Sequence, residues 1–310
     1  MQAPSPQARW ESEKATWPLR EFSRFVQTRG LRWHVQCAGR GPHLLLVHGT
    51  GASTHSWRDL IPRLAERFTV VAADLPGHGF TEAVPAEQRS IEGMSACLAE
   101  LLRTLDCRPM YCVGHSAGAV ILCRMALDGF IQPRVIVSLN GAFLPLASTV
   151  GRLFSPLAKL LVASPWLPRL LAWQGGSTPS VARVLAGTGS QLTPQGIEFY
   201  RRLVRNPDHI AGALGMMGSW DLDTFQPALN RLAIPLVLIV GENDKTVPPA
   251  QALELQRRMR HARVVVLPRL GHLAHEEAPD LVVDQIIGCC DDMPMKDRIA
   301  SPACVSGTPA

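Results

Sequence analysis

The 310-residue chain predicts an α/β protein: a mostly parallel, doubly wound sheet with a helical cap insertion. Three observations carry this. Short apolar runs alternate with segments of helical periodicity. The alternation stops after Leu139, gives way to helix-like sequence over 143–230, and resumes at Pro235. A strand, a sharp small-residue turn and a helix follow one another at Met110–Asp128.

The elements follow in order. Residues 1–16 are polar and read as a flexible N-terminus. Phe22–Thr28 and Leu31–Cys37 alternate apolar and polar residues around Arg29-Gly30, a hairpin pattern. His43–Val47 is a short apolar run that reads as a buried strand. Thr54–Arg67 has helical periodicity through Trp57, Leu60, Ile61 and Leu64. Phe68–Ala73 is a strand, and Gln88–Leu105 a helix with apolar residues three and four apart. Met110–Gly114 is a strand, Ser116–Asp128 a helix and Val135–Leu139 a strand. Beyond the insertion come strand Pro235–Val240, helix Pro249–Arg260, strand Ala262–Leu267 and helix Ala274–Ile287. Residues 291–310 read as a flexible tail.

Composition excludes several classes. With 46% hydrophobic residues and a net charge of +5, the chain is not disordered as a whole. That charge is too mild to argue for nucleic acid, which calls for a dense basic stripe. Eight cysteines occur without a Cys-x-x-Cys pair, so no zinc or redox spacing is expected, and buried reduced thiols in a cytoplasmic protein are. The N-terminus shows no apolar signal-peptide region, and no run of about 18 apolar residues suggests a membrane span. No phosphate-binding G-x-x-x-x-G-K-[ST] is present.

The chemistry gathers at Gly114-His115-Ser116-Ala117-Gly118, a G-x-S-x-G turn between a strand and a helix. Such a turn lifts a serine hydroxyl above the carboxyl edge of the sheet. A serine needs a base, and the base an orienting acid. Asp244 follows strand Pro235–Val240 and His272 follows strand Ala262–Leu267, so all three stand at carboxyl strand ends, in the order serine, acid, histidine. Glu242 competes with Asp244 on the same loop. His275 competes with His272, with a solvated capping role expected for it. Asn140 and Gly141 after Val135–Leu139 disfavour an acid there. His48, His78 and His115 read as loop supports. The oxyanion donors expected are the backbone N–H groups of Ala117 and of Thr50 in the HGTG loop (48–51), with the Thr50 hydroxyl and His55 as nearby extras. No cofactor and no metal site are expected.

Over 143–219 the insertion carries seven basic residues against two acidic ones. It is also rich in Leu and Trp. A lid with an apolar inner face and a cationic rim suits a large amphipathic anion. The same pattern over Leu153–Trp173 fits peripheral docking on an anionic membrane. Met216, Met217 and Trp220 are candidates to line the pocket.

HGTG, DLPGHG (74–79), GHSAG, GENDKTVP (241–248) and GHLAHEE (271–277) together resemble the alpha/beta-hydrolase superfamily with a helical cap. FSPLAKLL (154–161), GTGSQLTPQG (187–196) and GALGMMGSWDL (212–222) further resemble the magnesium-chelatase accessory hydrolases of bacteriochlorophyll biosynthesis. The resemblance runs from about Trp17 to Ile287. It implies a core of 17–142 and 231–290, a cap of 143–230, and a catalytic set of Ser116, Asp244 and His272. It also implies a cytoplasmic protein, peripheral on the inner membrane or free of it, acting on a tetrapyrrole or acyl substrate beside magnesium-chelatase subunits. Two other functions stay open on the residues alone: a non-catalytic porphyrin carrier, and a general esterase or C–C hydrolase. Epoxide hydrolases and dehalogenases of this fold usually need an aspartate where Ser116 stands.

Overall fold

The computed structural model describes residues 5–144 and 166–292. Among the described residues eight strands form one sheet: β1 (Ser23–Gln27), β2 (Arg32–Ala38), β3 (His43–Val47), β4 (Thr69–Ala73), β5 (Tyr111–His115), β6 (Val135–Leu139), β7 (Leu236–Gly241) and β8 (Ala262–Leu267). Their order is β1-β2-β4-β3-β5-β6-β7-β8. The β1–β2 and β2–β4 pairs are antiparallel, and every later pair is parallel. Val47 lies opposite Gly114, His115 opposite Leu139, and Gly241 opposite Leu267. This register brings the carboxyl ends of β3, β5, β7 and β8 to one edge.

Helices cover both faces, which is why the central strands read as unbroken apolar runs rather than alternating ones. Leu45 and Val47 of β3 pack with Leu98, Leu101, Ile121 and Leu122 on one side. Leu44 and Leu46 pack with Ile61, Leu64, Val282 and Ile286 on the other. The helices are α1 (Pro6–Glu13), α2 (Ile61–Leu64), α3 (Ile91–Thr104) and α4 (Ala117–Leu127), then α5 (Leu167–Gly175), α6 (Thr178–Gly187), α7 (Pro194–Val204), α8 (Pro207–Gly218) and α9 (Leu222–Leu229) between β6 and β7. After β7 come α10 (Pro249–Arg258), α11 (Ala274–Glu277) and α12 (Pro279–Asp291).

Proline and capping explain where the elements depart from periodicity. The helix expected at Thr54–Arg67 is a 3-10 turn, Thr54–Trp57, and then the single turn α2. Pro62 has no N–H and is tolerated only in a first helical turn, so the helix must restart there. The helix expected at Ala274–Ile287 divides into α11 and α12 for the same reason, with Pro279 at the start of α12. Helix α3 begins at Ile91 rather than Gln88 because the Ser90 side chain accepts from the Gly93 N–H.

The N-terminus is a correction. Within the stretch expected to be flexible, Pro6–Glu13 is helical, with the Ser5 side chain capping the Ala8 N–H. Trp10 is buried, with its ring 5.1 Å from Phe80 and 4.9 Å from His34. Polar composition hid one anchoring aromatic. Of the tail expected at 291–310, Asp291 ends α12 and Asp292 caps it; residues 293–310, and the portion of the insertion holding Leu153, lie outside the described residues. The described cysteines are free thiols, five of them buried.

Candidate active site

Ser116 joins β5 to α4 at φ 49° and ψ −114°, a strained backbone that costs about 1–3 kcal/mol. Its N–H donates to the Leu139 carbonyl at 2.9 Å, which anchors the turn to β6. The two glycines of GHSAG are demanded by close approach. A Cβ at Gly118 would stand 2.1 Å from the Val47 carbonyl oxygen, and one at Gly114 would stand 2.4 Å from the Ala119 nitrogen. Helix α4 can therefore sit hard against the sheet, with its positive N-terminal end at the serine. Ala117 is the first residue of α4, so its N–H has no intrahelical acceptor.

His272 and Asp244 meet as the strand ends require. The His272 Nδ1–H donates to Asp244 Oδ2 at 2.7 Å, which leaves Nε2 as the basic nitrogen. Asp244 Oδ2 also accepts from Asn140 Nδ2 at 2.7 Å, and Oδ1 accepts from the N–H groups of Thr246 and Val247 at 2.8 Å each. Its carboxylate is buried. Glu242 is exposed and accepts instead from the Arg269 N–H, so Asp244 is the acid at the imidazole. His115 Nε2–H donates to the His272 carbonyl at 3.0 Å. Burial, then the neighbouring His275 and His272, push His115 well below the ordinary histidine range and keep it neutral.

His275 is a correction. It is fully buried rather than solvated, with its ring 4.5 Å from that of His115 and its pKa pushed down to about 3 by burial. Helix α11 is too short to turn its second residue outward once Leu273 and Ala274 pack against the core.

The HGTG loop is tied from three directions. His48 donates from Nδ1 to the Gly49 carbonyl at 2.8 Å and accepts the Leu75 N–H on Nε2 at 2.9 Å, so it links this loop to DLPGHG. Helix α8 supplies the other ties through one face, at positions 209, 212 and 216. His209 Nε2–H donates to the Gly51 carbonyl at 3.1 Å, and its Nδ1 accepts the Gly79 N–H at 3.1 Å. Burial depresses its pKa to about 4, which keeps Nδ1 an acceptor. Gly212 lies so close to Gly77 that a Cβ there would stand 2.2 Å from the Gly77 carbonyl oxygen. The Thr50 hydroxyl donates to Met216 Sδ at 3.7 Å. His55 stands apart from this loop's carbonyls, hydrogen-bonded to Ser53 and packed edge-on to Tyr200.

Ser116, Ala117, His272 and Thr50 all line one cavity of about 510 Å³. Its far wall comes from α5–α9 and is apolar: Leu171, Val181, Leu185, Ile210, Met217 and Trp220. Met216 is fully buried beside the loop instead. Among the described residues no Lys, Arg, Asp or Glu lines the cavity, as an apolar inner face requires. Arg201 and Arg202 pair with Glu198, and Arg169, Arg183 and Arg205 are exposed. The periodicity showed an apolar face correctly; the formal charge total could not show where the arginines point.

Two residues with evident positioning contacts were missed. Asn140 stood out only as a non-acid, although its place directly after β6, beside β7, is a usable signal. His209 carried no motif at all.

The alpha/beta hydrolase fold model matches residues 42–279. The chain is 36% identical to the magnesium-chelatase 30 kDa subunit of Rhodobacter capsulatus over 270 residues, 86% of this chain and 93% of that protein. It is 27% identical to a pimeloyl-[acyl-carrier protein] methyl ester esterase of Nitrosomonas europaea, over 83% of this chain and 98% of that one. An alpha/beta hydrolase fold protein from Burkholderia ambifaria superposes with a TM-score of 0.72 at 24% identity, covering 86% of this chain and 97% of its own. An epoxide hydrolase superposes with a TM-score of 0.75 at 22% identity, covering 88% and 99%. At these identities the structural likeness is one of fold. The chain belongs to the alpha/beta hydrolase family and, within it, stands with relatives of the magnesium-chelatase 30 kDa subunit.

Proposed function

We propose that this protein is a serine hydrolase that cleaves an ester or related acyl bond of an apolar substrate, a tetrapyrrole or its precursor, in bacteriochlorophyll biosynthesis. The observation that carries the reading is the His272–Asp244 pair at 2.7 Å, whose His272 lines the same cavity as a serine held at φ 49°. Residues 17–142 and 231–290 form the catalytic core in this reading, and 143–230 the cap. Ser116 attacks the carbonyl carbon while His272 Nε2 takes the hydroxyl proton. Asp244 holds the imidazolium that forms. The N–H groups of Ala117 and Thr50 hold the oxyanion, and removal of one such donor costs on the order of 10²–10³ in rate. His272 then gives its proton to the leaving alcohol, and water releases the acyl group by the reverse roles.

The lining sharpens the substrate. Burying an unpaired carboxylate is costly, and no cation of the described lining would meet one. An ester is uncharged and fits; the acid it yields does not, which favours release. Free carboxylates of a tetrapyrrole would stay at the mouth. The kinship with the Rhodobacter capsulatus subunit supports work beside magnesium-chelatase subunits.

A fluorophosphonate probe tests the chemistry. Wild type is expected to label, and Ser116→Ala and His272→Ala to lose labelling while keeping their circular dichroism. Folded wild-type protein that stays unlabelled, yet binds porphyrin equally well with and without Ser116, would establish the carrier reading in its place.

A further inference from the structure

Helix α5 is arranged inside out. Pro168 and Ala172 are its buried residues. Trp166, Leu170 and Trp173 stand at spacings of four and three along the opposite stripe, with Arg169 among them. Trp173 is 80% exposed and Trp166 60% exposed, values rare for the largest apolar side chain. On the neighbouring α6, Val184 is 71% exposed. Arg169 and Arg183 are the only charged residues from 166 to 197, and both are exposed. Leu171 and Val184 belong at once to this surface and to the cavity lining, so the patch continues into the mouth of the site.

We propose that this face docks on the interfacial layer of an anionic lipid bilayer, and that apolar substrate enters the cavity from the bilayer. Tryptophan favours the membrane–water boundary, where its ring is apolar and its N–H is wet. Arginine keeps its guanidinium among headgroups while its stem lies on apolar surface. A stripe of Trp, Leu and Val carrying two cations and no acid is complementary to an anionic bilayer. No described helix is long and apolar enough to cross one, so the contact is peripheral. The substrate route rests on the hydrolase reading above; the docking itself does not.

Co-sedimentation of the full chain with phosphatidylglycerol/phosphatidylcholine vesicles tests this, against vesicles of phosphatidylcholine alone. Wild type is expected to pellet with the anionic vesicles, and less so as salt rises. Arg169→Gln and Arg183→Gln should each weaken binding about 5-fold, the equivalent of one charge near such a surface. Trp166→Ser with Trp173→Ser should weaken it about tenfold or more. These three variants keep wild-type labelling by the fluorophosphonate probe in solution, and Ser116→Ala keeps wild-type vesicle binding, so failure of docking and failure of the hydrolase reading are separate results. Absence of binding to anionic vesicles, or binding that the variants leave unchanged, overturns the proposal. So does self-association in gel filtration that the tryptophan variants abolish without any vesicle binding, which would assign the face to a second copy of this chain.

Discussion

Asp244 accepts four hydrogen bonds, from Asn140, His272, Thr246 and Val247, all within 2.8 Å. Across the cavity, α5–α9 present Leu, Val, Ile, Met and Trp to the same space. The two walls of one site obey different physics. The sheet edge fixes donors and acceptors before any substrate arrives, which is what electrostatic catalysis requires. The helical wall selects by shape and dryness, and it touches the sheet edge through a few polar bridges. His209 reaches the Gly51 carbonyl, the Tyr200 hydroxyl donates to Glu276 at 2.7 Å, and the Leu273 N–H donates to Ser190. Reactivity should therefore answer to changes on the sheet side, and selectivity to changes on the helical side, except at those bridges.

The strongest way to break that division is Asp244→Asn. On the proposed mechanism it leaves shape intact and turns the imidazole to the wrong tautomer, with an expected loss on the order of 10⁴ in kcat, about 5 kcal/mol. A loss below tenfold, by stopped-flow hydrolysis of an activated ester, would mean that the polar wall does not set the chemistry. Next comes Gly118→Ala. The new Cβ would meet the Val47 carbonyl at 2.1 Å, and backbone on both sides leaves no side chain to move away. A destabilisation of about 3–5 kcal/mol is expected in urea unfolding.

The division also explains what could be read from residues alone. Ser116, Asp244 and His272 could be placed at one sheet edge because each stands within five residues of a strand's carboxyl end, so local pattern positions them in space. The parallel sheet was legible because burial on both faces leaves continuous apolar runs. Asn140 and His209 were not, since their meaning lies in partners 104 and 158 residues away. The arginines of the insertion could be counted but not aimed, because charge does not state direction; among the described residues none of them lines the cavity. His275 was assigned to solvent because two glutamates follow it, yet Glu276 is itself buried against Arg58 at 2.6 Å. Pro62 and Pro279 did stand in the sequence; periodicity outweighed them where backbone chemistry should have prevailed.

His209 is where the two walls exchange information. His209→Phe keeps a ring of similar size and removes both hydrogen bonds, freeing the loop that carries the Thr50 N–H. On the proposed mechanism kcat should fall on the order of tenfold to a hundredfold, as for a displaced oxyanion donor, with KM within about twofold. His209→Gln, which can both donate and accept, should recover part of the loss. An unchanged kcat in His209→Phe would make α8 a passive cover.

The smallest effect is one of pH, and it tests the same bridge by stability alone. Burial, the largest influence on His209, lowers its pKa to about 4, and the same cause lowers those of His48, His55, His78, His115 and His275. In the unfolded chain such residues titrate near 6.5. A depressed histidine favours the fold fully above about pH 6.5; that advantage is lost as pH falls towards 4, where the unfolded chain binds protons the folded one refuses. For His209 the loss at pH 5 is about 2 kcal/mol relative to pH 8. Thermal melts from pH 8 to pH 5 should show Tm falling for wild type. They should show a shallower fall for His209→Phe, which starts lower but has one proton fewer to exclude. Parallel slopes would place His209 in contact with water and remove it from the dry wall that the comparison assigns to it.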